Sequence, residues 1–281
     1  MSQDVIPLSS PATAEFWKIP VCYEDEHLLA LDKPARLLTS PDRFDPNRPT
    51  LMKLLHTGIA QGAGWAVRRG LKYLANAHRL DDETTGILLL AKNKPALISL
   101  ANQFGIVNQS KTFLALVQGS PAEDAFGVEA ALGPDPFRAG YVRVDPKHGK
   151  KAITQFQVRE RFRGFTWIEC HPSTARPHQI RVHLRHLNLP LAGDLLYGGQ
   201  PLLLSRLKPH YRLKPNKPEH PLIGRVALHA IELAVTHPAN GSPVTLRVPL
   251  PRDLDVALKY LRIFAAVPPS GPSGLSSALS Q

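Results

Sequence analysis

The tightest constraint on this chain is a run of five apolar residues, ILLLA at 87–91, entered through Gly86 and left at Lys92–Pro95. A run this short, with a glycine on one side and a lysine–proline stop on the other, reads as a strand buried within a sheet. Directly before it stands HRLDDETTG (78–86), which places three consecutive acids, Asp81, Asp82 and Glu83, beside Arg79 in the entering loop. Further strand-like runs follow: KTFLALVQG, ITQFQV, FTWIEC, ALHAIELAV and VTLRV. IPVCYEDEHLLALDKP predicts a hairpin around the acidic turn Glu24–Glu26. Helical spacing marks RPTLMKLLHTGIA, with Thr50 as N-cap, and PALISLANQF, with Pro95 at N1. It also marks PHQIRVHLRHL, starting at Pro177, and DLDVALKYLRIF, with Asp253 as N-cap. In the third of these, His178, Arg181 and Arg185 share a stripe beside the apolar one. Strands mixed with separate helices predict an α+β fold rather than a regular βαβ alternation.

The 281 residues carry 34 Lys+Arg against 23 Asp+Glu, a net charge of +11, and the excess is uneven. Residues 61–120 are net +4 and 181–240 net +5, whereas 1–60 are net −2. This pattern suits a polyanion contacted on one side, and equally a generally cationic surface. Membrane binding is not indicated, because no stretch pairs a basic face with a bulky apolar one. The first residues lack a basic segment followed by an apolar one, so a cytoplasmic location is expected. Two cysteines exclude a disulfide scaffold and a thiolate zinc finger. The expected organisation is a flexible lead-in over 1–19, one catalytic domain over 20–264 and a disordered Pro/Ser/Gly tail over 265–281. Within the domain, residues 200–225 form a Pro-rich insertion with six Lys/Arg and one acid. Either a basic arm on RNA phosphates or a solvated loop fits that composition.

The acidic triplet has two readings. Asp and Thr side chains commonly bond loop amides in turns, and a carboxylate within a basic segment also suits catalysis. His178, His183 and His186 are spaced so that only the last pair shares a helical face; with no HExxH, structural or RNA-contacting roles fit better than metal ligation. Cys22 and Cys170 lie inside strand-like runs, which argues against a nucleophilic thiol. Neither GxxxxGK[ST] nor GxGxxG occurs, so no nucleotide cofactor is indicated.

HRLDDETTGILLLAKN resembles the signature of the RluA-type pseudouridine synthases. LDKP with Lys33–Pro34 stands upstream, and KTFLALVQG, RPHQIRVHL, LAGDLLYGG and ALHA follow in that family's order. The resemblance spans about residues 21–262, without a recognisable S4-type RNA-binding module before it. It implies the pseudouridine-synthase fold, a mixed and largely antiparallel sheet with flanking helices and a central basic cleft. It further implies isomerisation of specific uridines in structured rRNA or tRNA by a monomer, with neither metal nor cofactor. Asp81 would be the catalytic carboxylate and Arg181 its ion-pair partner. Arg79 would fill the space of the extruded base, Phe113 would stack on it, and Arg176 and His178 would complete the substrate contacts. The sequence departs from the family at Arg36, at Thr84–Gly86, at Thr174–Arg176, and at Phe113, where most relatives carry a tyrosine. A stacking role survives that last change; a phenolic base does not. A non-catalytic RNA-binding or ribosome-assembly factor that retained the fold is the competing reading, and retention of both Asp81 and Arg181 argues against it.

Overall fold

The computed structural model describes residues 4–41, 48–105, 110–213 and 217–267, with the side chains of Gly105 and Ser110 excepted. The N-terminal strands are β1 (Val5–Ser10), β2 (Glu15–Glu24), β3 (Leu28–Lys33), β4 (Ala75–Asn76) and β5 (Thr85–Ala91). After them come β6 (Ser110–Gln118), β7 (Ala125–Glu129), β8 (Leu132–Pro134), β9 (Val142–Val144), β10 (Ile153–Phe162) and β11 (Phe165–Pro172). The last two are β12 (Leu228–Thr236) and β13 (Pro243–Arg247). The helices are α1 (Leu51–Ala60), α2 (Gly64–Arg68), α3 (Lys94–Gly105), α4 (Gln179–His186), α5 (Leu204–Leu207) and α6 (Arg252–Phe264).

Eleven strands form one sheet in the order β1-β2-β3-β5-β12-β6-β11-β10-β7, with β13 paired to β12 and β4 to β5; β8 and β9 form a separate two-stranded sheet. The paired strands are antiparallel except β5 and β12, which meet in parallel over only two residue pairs, His229 with Thr85 and Ala230 with Gly86. The fold is therefore α+β with a largely antiparallel sheet, as the sequence predicts.

Every residue of β5 is buried, which is what its unbroken apolar run requires. One face of the first half of the sheet packs Leu29, Leu31 and Leu88 against Leu51 and Leu55 of α1 and Trp65 of α2. The other face packs Leu28, Ile87 and Leu89 against Leu100 of α3. In the second half α6 covers Leu116 and Trp167, and Ile180 and Leu184 of α4 cover Ala115 and Ile168. Thr50 caps α1 as expected, its hydroxyl accepting the Lys53 amide at 3.2 Å.

Four expectations are corrected. Residues 5–19 are not a loose lead-in: β1 and β2 form an antiparallel hairpin. The period-two positions Ile6, Leu8 and Ile19 point into the α1 core, and that burial holds the hairpin. Helix α4 begins at Gln179, two residues after Pro177, because His178 takes a left-handed backbone at φ +53. Helix α6 is preceded by Pro251, and Asp253 within its first turn binds Arg225 through two contacts of 2.7 and 3.0 Å. Residues 200–225 are not structureless, since Leu202, Leu207 and Ile223 join the α6 core and the Leu222 amide donates to the Leu202 carbonyl at 2.7 Å. Of that segment 214–216, and of the expected tail 268–281, lie outside the described residues.

Gly86 closes the signature for a steric reason. Its φ is +114, and a Cβ there would fall 2.2 Å from the Ala230 carbonyl oxygen across the parallel seam. Gly62, at φ +64, has open space around it. Gly86→Ala is therefore expected to lose about 2–3 kcal/mol in urea unfolding. Gly62→Ala should lose only about 1 kcal/mol, the backbone term alone.

Candidate active site

The loop before β5 is fixed from below by a buried amine. Lys33, at the end of β3, is fully buried, and its Nζ donates to the carbonyls of Pro34 (2.7 Å), Leu37 (2.9 Å) and Asp82 (3.0 Å). These three acceptors match the three N–H bonds of an ammonium. Burial pushes Lys33 down to about 7, against the opposing pull of the Asp82 and Asp81 carboxylates. The Asp82 carbonyl also accepts the Arg36 amide at 2.9 Å. From the other side Thr39, buried, accepts from the Leu80 amide (3.2 Å) and donates to the Leu80 carbonyl (2.9 Å). Asp81 thus sits between two residues whose backbones are tied to the scaffold. Asp82 turns away and pairs with Arg48 at 2.6 Å.

Asp81 opens onto a cavity of about 260 Å³ beside the starts of β5 and β12. Arg79, Asp81, Phe113, Arg176, His178 and Arg181, all six residues assigned to the site by resemblance, line it. Lys111 and Phe104 line it as well. Asp81 is the single carboxylate among the lining residues, against four arginine and lysine side chains, so the cavity is basic.

Arg181 is held mainly by Asp194, a residue of LAGDLLYGG to which the sequence pattern assigns no role. Its Nε and one terminal nitrogen each donate to a carboxylate oxygen of Asp194 at 2.7 Å, a bidentate pair with Asp194 fully buried. The contact to Asp81 is longer, 3.9 Å from the other terminal nitrogen to Oδ2. Burial alone would lower the Arg181 pKa, but the Asp194 hydrogen bonds and charge, with Asp81 behind them, raise it. Arg181 is therefore a fixed cation aimed at a carboxylate that remains free for chemistry. The Asp81 side chain is 22% exposed, all that a cavity-facing nucleophile or base needs.

Tyr197, from the same LAGDLLYGG segment, completes this wall. The Val142 amide donates to its hydroxyl oxygen at 3.0 Å, and the hydroxyl donates to Nδ1 of His178 at 2.7 Å. Burial lifts the phenol to about 12 and holds the imidazole below its ordinary range, so both are neutral. The Arg181 guanidinium lies 4.9 Å from the Tyr197 ring centroid. Gln179 anchors the preceding turn: its Oε1 accepts from the Thr174 hydroxyl (2.8 Å) and the Arg176 amide (3.1 Å). His183, further along the helix, is structural, its ring nitrogens against Thr154 Oγ1 (2.9 Å) and the Ala130 carbonyl (3.0 Å). Burial keeps both thiols protonated, Cys22 at about 12 and Cys170 well above the usual range.

Arg181→Met leaves the Asp194 carboxylate buried without its partner, at an expected cost of about 3–5 kcal/mol. Adding Asp194→Asn removes that charge and keeps the cap on Tyr197, so the double variant should recover most of the lost stability. Thermal unfolding measures the first effect. A turnover assay on RNA should show that activity does not return with it, since only Arg181 faces Asp81.

The chain matches the family model described as RNA pseudouridylate synthase over residues 27–186. It is 33% identical over 265 residues to a ribosomal large subunit pseudouridine synthase D of Xylella fastidiosa, covering 92% of this chain and 72% of that protein. It is 32% identical over 257 residues to the RNA pseudouridine synthase YlyB of Bacillus subtilis, covering 91% and 77%. Among solved structures, human RNA pseudouridylate synthase domain containing 1 superposes with a TM-score of 0.60 at 26% identity, covering 85% of this chain and 87% of that one. Human RNA pseudouridylate synthase domain containing 4 shares the fold, with a TM-score of 0.63 at 23% identity over 86% and 92%. A match across more than half of the sequence, joined to a carboxylate–arginine cavity on the same fold, places the chain in the RNA pseudouridylate synthase family, isomerases that convert uridine to pseudouridine within RNA.

Proposed function

We propose that this protein converts specific uridines of large-subunit ribosomal RNA to pseudouridine, with Asp81 as the catalytic carboxylate. The observation that carries the reading is the pairing of one accessible carboxylate with a rigidly held arginine in a basic cavity. The ribosomal names of the relatives favour rRNA over tRNA. The catalytic unit is taken as residues 5–264, with the N-terminal hairpin included because its apolar positions share the α1 core, acting as a monomer in the cytoplasm.

The isomerisation breaks the N1–C1′ bond, turns the uracil within the pocket and joins C5 to C1′. No electron or group is exchanged with a second molecule, so the chemistry calls for no cofactor. A carboxylate can attack the sugar or ring, or take a ribose proton while it stabilises developing charge. The Arg181 guanidinium lies 3.9 Å from the Asp81 carboxylate that either route uses. A stacked uridine must first leave its helix, at a cost of a few kcal/mol. Arg79 on the motif loop would occupy the vacated position and the Phe113 ring would stack on the extruded uracil; both line the cavity that holds Asp81. Arg176, whose Nε donates to the Lys151 carbonyl at 3.0 Å, and His178 border the opposite wall.

Asp81→Asn should abolish pseudouridine formation in unmodified large-subunit rRNA while RNA affinity stays within a few-fold. Asp82→Asn should leave turnover intact, because that side chain faces Arg48. Full activity in Asp81→Asn would defeat the catalytic assignment. One base stacked on an aromatic ring is worth about 1–3 kcal/mol, so Phe113→Ala should lose roughly 5- to 150-fold.

A second candidate RNA surface lies away from the cavity, beside the turn between β10 and β11. Arg163, Arg206, Lys208, His210 and Tyr211 border a groove between the 200–225 segment and the end of α6. Neutralising Lys208, Arg212 and Lys217 should flatten the salt dependence of RNA binding, by about 0.7 in the log–log slope for each phosphate that no longer meets a cation. Filter binding across a salt series measures it.

A further inference from the structure

The product requires a proton to leave C5 after the new carbon–carbon bond has formed, and residue 113 is a phenylalanine with no group to accept it. The same strand supplies an alternative. Lys111 and Phe113 are two residues apart on β6, so their side chains emerge on the same face, and both line the cavity that holds Asp81. Their Cα atoms are roughly 6.6 Å apart at ~3.3 Å per residue, within the span of a lysine stem. The amine is held against the cavity wall, its Nζ 4.2 Å from the Phe104 ring centroid, and Phe104 packs on His78 with ring centroids 5.1 Å apart.

The other titratable groups lining the cavity are His78, Arg79, Asp81, Arg176, His178 and Arg181. The arginines stay protonated. Nε2 of His78 accepts the Leu89 amide at 3.0 Å, so its proton sits on Nδ1 and no lone pair is free. Nδ1 of His178 accepts from Tyr197, which leaves Nε2 protonated. Lys33 lies outside the cavity with its N–H bonds committed to carbonyls. Asp81, free again once C5 has joined C1′, lies 3.9 Å from the Arg181 guanidinium, and a carboxylate is a much weaker base than an amine.

We propose that Lys111 is the base that removes the C5 proton after C5 has joined C1′, in place of the phenol that most relatives carry at position 113. The inference rests on the Asp81 reading above. At that stage C5 is tetrahedral, bonded to C1′ and still carrying its hydrogen, and N1 is double-bonded to C6. The amine lone pair takes the C5 proton, and the C–H electron pair forms the C5=C6 bond. The former N1=C6 π pair goes to N1, which takes a proton from water, and the ammonium returns its proton to solvent. Burial pushes the Lys111 amine down to about 8, so a useful fraction is unprotonated near neutral pH.

The test uses the full chain with unmodified large-subunit rRNA transcribed with either ordinary or 5-deuterated uridine, under single-turnover conditions. The wild-type rate should rise with pH to a plateau above about 8. Lys111→Arg keeps the charge but cannot accept a proton; it should bind the RNA normally and lose roughly 10²–10⁴ in rate. Lys111→Ala should show a primary deuterium isotope effect at least as large as that of the wild type, and added methylamine should partly restore its rate. If Lys111→Arg runs at the wild-type rate, or Lys111→Ala shows neither the isotope effect nor amine rescue, the proposal is wrong. Turnover by Asp81→Asn would instead overturn the isomerase assignment, so the two failures are separable.

Discussion

The placement of the Asp81 carboxylate depends on one buried amine. Lys33 ties the end of β3, the turn after it and the backbone of the Asp81 loop into one knot by donating to three carbonyls, one of which, that of Asp82, also accepts the Arg36 amide. A hydrophobic residue could fill the same space but could not hold those oxygens together. The knot also sets the Lys33 amine near two adjacent carboxylates, one of which is drawn outward to Arg48. Asp81 is left facing the cavity because its neighbours on both sides are held by their backbones.

The two walls of the cavity are built differently. Phe113 and Lys111 project from a strand that is paired on both sides, to β11 and to β12. Arg181 and His178 belong to α4 and the turn before it, braced by Asp194 and Tyr197. Arg79 and Asp81 stand on a loop. A site on strands and helices keeps its geometry closely. The Asp81 loop approaches that stiffness because its backbone is tied on both sides of Asp81, at Leu80 by Thr39 and at Asp82 by Lys33.

Much of this was legible in the sequence, for identifiable reasons. The unbroken run at 87–91 could only be an interior strand, and Thr50 announced α1 by its position before an amphipathic stretch. The six site residues came from the motif resemblance, and all of them line one cavity. The N-terminal hairpin escapes a local reading because its apolar positions are few, and their burial depends on α1, some 40 residues later. Asp194 carried no local signal, since its role exists only through Arg181, 13 residues away in sequence and across a turn. Lys111 did carry one: strand alternation puts it on the face of Phe113, and that periodicity was readable in KTFLALVQG.

The parallel seam between β5 and β12 bears on how the chain is made. Thr85 meets His229 through a 2.8 Å side-chain hydrogen bond across 144 residues of sequence, and Gly86 pairs with Ala230 beside it. Contacts this distant close late, because a long loop must be ordered before they form. During synthesis the carboxylate loop leaves the ribosome long before the strand that must lie against it. Until about residue 230 has emerged, Thr85 and Gly86 have no parallel partner strand. The emerging chain carries every group of the signature early, while the seam behind Gly86 closes only after 144 further residues have been made.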